Sequence, residues 1–233
     1  MRANLLRAIS HDLRTPLTGI IGNSSLFLES QNDLSSTEQR TIMTNIYEDS
    51  NWLLNMVENL LSVTRIQGDS LSINTTEEPV EEVVGEALEK LKKRYPDAAI
   101  RVRIPEEFLM IPMDAVLIEQ VTINLLENAI VHSGSILPID FIVEDHPEHV
   151  SFIVRDYGKG LSEEKLQNLF ETGTYNNSRS SDSRKGMGIG LSICKTIITA
   201  HHGTLNGRNH AEGAEFCFTL PKNTGKDMDH RNE

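Results

Sequence analysis

Cysteine and aromatic residues are scarce in this 233-residue sequence: two cysteines, Cys194 and Cys217, a single tryptophan, and 5% aromatics in all. Two thiols cannot build a disulfide framework, so the fold must rest on an apolar core, and the pair suits a reducing compartment. Long hydrophobic runs are missing too. No stretch approaches the roughly 18 apolar residues of a membrane span, and no basic region followed by a short apolar one opens the chain. Positive charge is also short: 22 Lys+Arg against 34 Asp+Glu leave a net charge of -12. No basic tract stands out from that background, which argues against nucleic acid as a partner. What is present is length enough for one large or two ordinary globular domains.

From about Ala3 to Gln67 the pattern reads as two long helices broken at Ser30-Gln31-Asn32-Asp33, with Ser35, Ser36 or Thr37 capping the second. Leu6, Leu13, Leu17, Ile20, Ser24 and Leu28 fall on one narrow stripe of the first helix. Ile42, Ile46, Leu53, Val57, Leu60 and Thr64 do the same on the second. Two such stripes cannot enclose a core, so a second hairpin must cover them, and a homodimeric four-helix bundle is expected. Residues 1–67 form this domain, and the polar, turn-rich segment 68–79 reads as a linker. In residues 80–222 helices and strands alternate. Strands are expected near 100–104, 136–143, 150–155, 204–208 and 214–220, with helices through 83–91, 114–132, 163–170 and 188–201. That order argues for an α+β domain with helices layered on one face of a mixed sheet. The tail 223–233 has no core-forming pattern and reads as disordered.

Ser10-His11-Asp12-Leu13-Arg14-Thr15-Pro16-Leu17 places His11 on the first helix, roughly 140° from the leucine stripe and facing solvent. Thr15 shares that outward face. Asp12 lies near enough to hold one imidazole nitrogen while the other, neutral at pH 7, attacks an electrophile. Pro16 inside a helix costs about 3 kcal/mol and marks a shaped site.

Four segments of the second domain suit a phosphoryl donor. Asn124 and Asn128 stand one helical turn apart, with carboxamide oxygens able to ligate Mg²⁺ or bond phosphates. Asp156-Tyr157-Gly158-Lys159-Gly160 follows an alternating strand, so a carboxylate meets a tight turn that a planar ring can approach. Gly186, Gly188 and Gly190 alternate directly before a helix, whose N-terminal amides receive phosphate oxygens. No Gly-Lys-Ser/Thr of a P-loop follows, and the polar residues before them disfavour a Rossmann turn. Residues 176–185, with Arg179, Arg184 and Lys185, read as a lid over the nucleotide.

SHDLRTPLT resembles the phosphoacceptor box of the sensor histidine kinases, and the four later segments resemble, in order, the N, G1, F and G2 boxes of their Hsp90-like ATP-binding domain. The wording HDLRTPLTGIIG, NLLENAI, RKGMGIGLSIC and AEGAEFCFTLP is most similar to the potassium-responsive branch of that family. The resemblance implies a dimeric helical bundle followed by an α/β-sandwich ATP-binding domain. It implies that His11 accepts the γ-phosphoryl of ATP, with Asp12 as its base and Thr15 positioning water for dephosphorylation of a partner. Asp156 is then expected to accept the adenine amino group, Asn124 and Asn128 to handle Mg²⁺ and phosphates, and Gly158, Gly160, Gly186, Gly188 and Gly190 to shape the pocket. The implied partner is a response-regulator receiver domain. The chain is expected to be the cytoplasmic portion of a longer, membrane-bound sensor. Three positions depart from the family pattern: Val131 where Lys is usual, Tyr157 where Asn is usual, and Gly173 where a second Phe is common. Val131 keeps open an alternative, an ATP-binding regulatory module that acts mainly as a phosphatase of its regulator.

Overall fold

A computed structural model describes residues 2–30, 33–65, 73–170 and 189–223. The chain divides into two compact units, Met1–Leu61 and Ser62–Glu233.

The first unit is built from α1 (Arg2–Ser30) and α2 (Ser36–Arg65). Of the three capping candidates, Ser35 is the one that caps α2. Its N–H and hydroxyl donate to Glu38 Oε2 at 2.9 and 2.7 Å, and Glu38 N–H donates back to Ser35 Oγ at 3.3 Å. This reciprocal box satisfies donors that the helix start leaves unpaired. The Ser35 hydrogen bonds also hold the Glu38 carboxyl below its ordinary pKa. α1 continues through Pro16, which is buried. Ile42 and Met56 are buried, but Leu17, Ile21, Leu28, Tyr47, Leu54 and Val57 stay exposed, Leu28 to 79%. The hairpin therefore leaves much of its apolar surface uncovered by its own two helices.

The second unit holds α3 (Val80–Arg94), α4 (Ala115–His132), α5 (Glu163–Gln167) and α6 (Ile189–Ala200). Asp114 caps α4, its Oδ1 accepting from Leu117 N–H at 3.2 Å. Ser162 caps α5, accepting from Lys165 N–H. A five-stranded sheet runs in the order β2 (Ile100–Arg103), β4 (Ile139–Asp145), β5 (His149–Arg155), β7 (Gly213–Pro221), β6 (Thr204–His210). β2 and β4 are parallel and the other neighbours antiparallel, so the sheet is mixed, as expected.

Register sorts the sheet's two faces. Phe141, Phe152, Val154, Phe218 and Leu205 share one face and are at most 1% exposed; they form the core with Leu117, Leu125 and Ile197 of the helices. Phe152 and Phe218 stack with centroids 4.5 Å apart. Each such side chain is worth about 1.5–3 kcal/mol of burial. The opposite face carries a cross-strand row of alternating charge: Arg101, Asp140, Arg155, Glu215 and Arg208, one from each strand.

Two expectations change. Thr76–Pro79, assigned to the linker, form β1, which pairs antiparallel with β3 (Met110–Met113), a strand the sequence pattern did not show. Each strand is four residues long and contains a proline, tolerable in a two-stranded ribbon that has only edges; neither has enough alternation to stand out alone. The strand expected from Ile136 begins at Ile139, and Ile136 is 99% exposed in the turn before it. Residues 224–233, most of the expected tail, lie outside the described residues, as do 66–72 of the linker.

Candidate nucleotide site and phosphoacceptor helix

Asp156 continues the alternation of β5 one step past its end, on the side of Phe152 and Val154 and hence of the helices. It is 7% exposed. Its backbone N–H donates to Ala214 O at 3.0 Å, and its carbonyl lies 2.7 Å from His210 Nε2. Oδ1 accepts from Gly158 N–H at 2.9 Å and from Ala214 N–H at 3.3 Å. Among the described residues, Oδ2 is therefore the polar atom of Asp156 that no protein group satisfies. A buried carboxylate with one oxygen held and the other open is a ready acceptor for a ligand's amino group.

The turn after Asp156 is pressed against the end of α4. A Cβ at Gly158 would run into the backbone carbonyl of Ser133, the residue that caps α4, so a larger residue there would push the turn away. Gly160 takes φ +68°, a conformation that favours glycine. The turn is thus set beside the helix that carries Asn124 and Asn128.

Those two asparagines differ in availability. Asn124 is 6% exposed; its Nδ2 donates to Cys194 Sγ of α6 at 3.7 Å, and its Oδ1 accepts from Gln120 Nε2 at 3.2 Å. Its amide fastens α4 to α6. Asn128, one turn further on, is half-buried. Burial pushes the Cys194 thiol up to about 12, so it stays protonated. Both cysteines are free. A Cβ at Gly190, in the first turn of α6, would meet open space. Lys159 is exposed on the glycine turn, and Val131 is half-buried on α4.

Tyr157 points to the other face of the sheet. Its hydroxyl donates to Asp140 Oδ2 at 2.6 Å, its ring meets His210 edge-on at 5.6 Å, and Arg101 lies 5.9 Å from its centroid. The bond to Asp140 raises the phenol pKa. The departure at position 157 therefore serves the charged row and not the Asp156 side. On that reverse face a shallow cleft of about 430 Å³ is lined by Arg155, Tyr157, Arg208, Asn209, His210, Ala211 and Glu215. Burial works to raise the pKa of Glu215, but hydrogen bonds from Arg155 and Arg208 outweigh it and hold the carboxylate below its ordinary value.

His201 is 3% exposed, its Nδ1 2.8 Å from Ile197 O and its Nε2 accepting from Asp114 N–H at 3.0 Å. Nδ1 thus carries the proton, and burial pushes the pKa of the ring down. With both nitrogens engaged it ties the end of α6 to the start of α4. No cluster able to hold a metal ion through His, Cys, Asp or Glu occurs among the described residues.

His11 and Asp12 lie on α1, but their side chains fall outside the described ones; Thr15 is exposed on the same helix. Gly173, Arg179, Arg184, Lys185, Gly186 and Gly188 lie outside the described residues. Sequence reasoning missed Asn209 and His210, which contact the glycine turn from the β6–β7 hairpin. Two alternating strands around a short polar turn signal that hairpin, but not what its tip touches.

Residues 1–69 match the His Kinase A (phospho-acceptor) domain, and residues 113–224 match the histidine kinase-, DNA gyrase B- and HSP90-like ATPase domain. Sensor protein KdpD of Clostridium acetobutylicum is 43% identical over 223 residues, 95% of this chain and 25% of that protein. KdpD of Escherichia coli is 33% identical over 237 residues, all of this chain and 26% of that one. The chain thus spans about a quarter of the length of these curated relatives. Among solved structures, the catalytic domain of histidine kinase ThkA aligns with TM-score 0.55 at 31% identity, covering 64% of this chain and 99% of that one. ThkA in complex with response regulator protein TrrA shares the fold over 96% of this chain and 62% of that one, with TM-score 0.70 at 24% identity. No helix among the described residues is long and apolar enough to cross a membrane. With the helical hairpin, the mixed-sheet sandwich and these matches in both parts, the chain belongs to the sensor histidine kinases.

Proposed function

We propose that this chain is the catalytic core of a KdpD-type sensor kinase that transfers the γ-phosphoryl group of ATP to His11 and then to an aspartate of a response-regulator receiver domain. The observation that carries the nucleotide half of this reading is Asp156, a buried carboxylate with Oδ2 open beside a glycine turn set against α4. Adenine's exocyclic amino group is the donor that suits it. Asn128 offers a hard oxygen for Mg²⁺ near the same turn, and Asn124, already bonded to Cys194 and Gln120, serves mainly to hold that helix in place. When bound, the ion supplies charge neutralisation at the phosphate oxygens. Arg179, Arg184, Lys185 and Lys159 supply the further positive charge that a protein of net charge -12 needs around a polyanion.

In the acceptor step a nitrogen of His11 bonds to the γ-phosphorus as the bond to the β-phosphate oxygen breaks and ADP leaves. Asp12 holds the other ring nitrogen's proton and supports the positive charge that develops on the imidazole. Thr15 positions water for removing the phosphoryl group from the receiver domain. The exposed Leu17, Ile21, Leu28, Tyr47, Leu54 and Val57 are the surface a second copy covers, making a four-helix bundle. In the whole protein this core sits on the cytoplasmic side of a membrane-bound potassium or osmotic sensor.

Incubation with γ-labelled ATP and Mg²⁺ tests the reading. Acid-labile, alkali-stable label is expected on the wild type and absent from His11→Gln and Asp156→Asn. ATP binding without label would refute the kinase reading and favour the regulatory module that Val131 suggests.

A further inference from the structure

We propose that Asn209 and His210, at the end of β6, are positioning residues that set the nucleotide's base selectivity by clamping the Asp156 turn from both ends. This rests on the reading of Asp156 as the base acceptor. Asn209 grips the far end of the turn as a bidentate pair: Oδ1 accepts from Leu161 N–H at 2.8 Å and Nδ2 donates to Leu161 O at 2.7 Å. Gly160 makes that grip possible, because a Cβ there would come within 2.9 Å of Asn209 Oδ1. His210 grips the near end. Its Nδ1 accepts from Glu212 N–H at 3.4 Å, which leaves Nε2 to donate to Asp156 O at 2.7 Å. The Tyr157 ring braces the imidazole edge-on. β7 completes the frame through Ala214, whose carbonyl accepts from Asp156 N–H and whose N–H donates to Oδ1.

All of these bonds leave Oδ2 untouched and fix where it points. That direction matters for selectivity. Adenine presents an amino donor at the position where guanine presents a carbonyl oxygen. A carboxylate oxygen held in place rewards the donor and repels the acceptor, whereas one on a loosened turn shifts aside and discriminates less. Neither Asn209 nor His210 touches the base in this scheme; both act through the turn.

Isothermal titration of the full chain with ATP and with GTP, in the presence of Mg²⁺, tests the clamp, with melting curves recorded for every variant. Asn209→Ala and His210→Phe should each weaken ATP binding by about tenfold, the worth of one well-made hydrogen bond. They should also narrow the ATP-to-GTP affinity ratio by a similar factor. His210→Gln, whose Nε2 can still donate to Asp156 O, should restore both. Weaker binding with an unchanged ratio and no rescue by Gln would overturn the proposal in favour of a purely structural role. Wild-type affinity and ratio in Asn209→Ala and His210→Phe, alongside lost ATP binding in Asp156→Asn, would overturn the clamp alone. Wild-type ATP binding by Asp156→Asn would instead overturn the reading beneath it.

Discussion

Replacing His201 by Phe tests the packing of α6 against α4 in a way that separates hydrogen bonding from burial. In the native unit the ring accepts from the backbone N–H of Asp114, at the start of α4, and Nδ1 meets Ile197 O. Phe fills the space but offers no acceptor. Ile197 O keeps its bond from the backbone N–H of residue 201, so the main loss is the orphaned Asp114 N–H. An unpaired donor costs about 1–3 kcal/mol, and that is the expected loss at pH 7.5. pH sharpens the test. Burial lowers the native pKa of His201 below its ordinary 6.5, so its stabilisation is complete above pH 6.5 and is lost as pH falls through the native value. At pH 5.5 the gap between wild type and His201→Phe should narrow by as much as about 1.4 kcal/mol, the limit for one unit below the unfolded pKa. His201→Gln keeps an acceptor for Asp114 N–H and cannot titrate, so it should lose less and show the same flattened pH dependence. Urea melts of all three proteins at pH 7.5 and 5.5 measure the gaps. A gap that is constant or widens on acidification would refute the neutral, doubly bonded ring.

Gly158→Ala should destabilise the second unit by about 1–3 kcal/mol and weaken ATP binding, because its methyl meets the Ser133 carbonyl; thermal melts with and without nucleotide read both effects. Glu215→Gln should cost about 1 kcal/mol at pH 7 once solvent screening of its arginine partners is allowed for, and the difference should shrink as pH falls below 4.5 and disappear once pH drops through the lowered native pKa, where wild-type Glu215 is protonated. Ser35→Ala removes one side of the α2 capping box and should lower helical-unit stability by about 1 kcal/mol, seen by circular dichroism. Thiol titration of the native protein should find Cys217 reacting well before Cys194, whose buried thiol stays protonated.

The sequence by itself determined the elements whose periodicity is long or whose ends are punctuated. The two hairpin helices, α4 behind its Asp114 cap, and the alternating β5 and β7 all stand within a few residues of where pattern placed them. It also pointed to the residues proposed for chemistry, because a His-Asp pair on a helix and an acid before a glycine turn are local arrangements of a few neighbours. What it did not show were features made by distant partners. β1 and β3 are strands because they meet each other, 34 residues apart, in a ribbon that neither segment announces. Asn124 looked like a second ligand on the same helical face as Asn128, and only the packing of α4 on α6 turns it toward Cys194. Tyr157 looked like a flaw in the nucleotide turn until the pleat of β5 placed its ring on the opposite face, against Asp140. The hold on Asp156 is likewise a product of topology: antiparallel pairing of β6, β7 and β5 carries Asn209, His210 and Ala214 from more than fifty residues away to the one turn whose open oxygen matters. Side-chain chemistry was written along the chain, and its direction in space was decided by which strands and helices the core brought together.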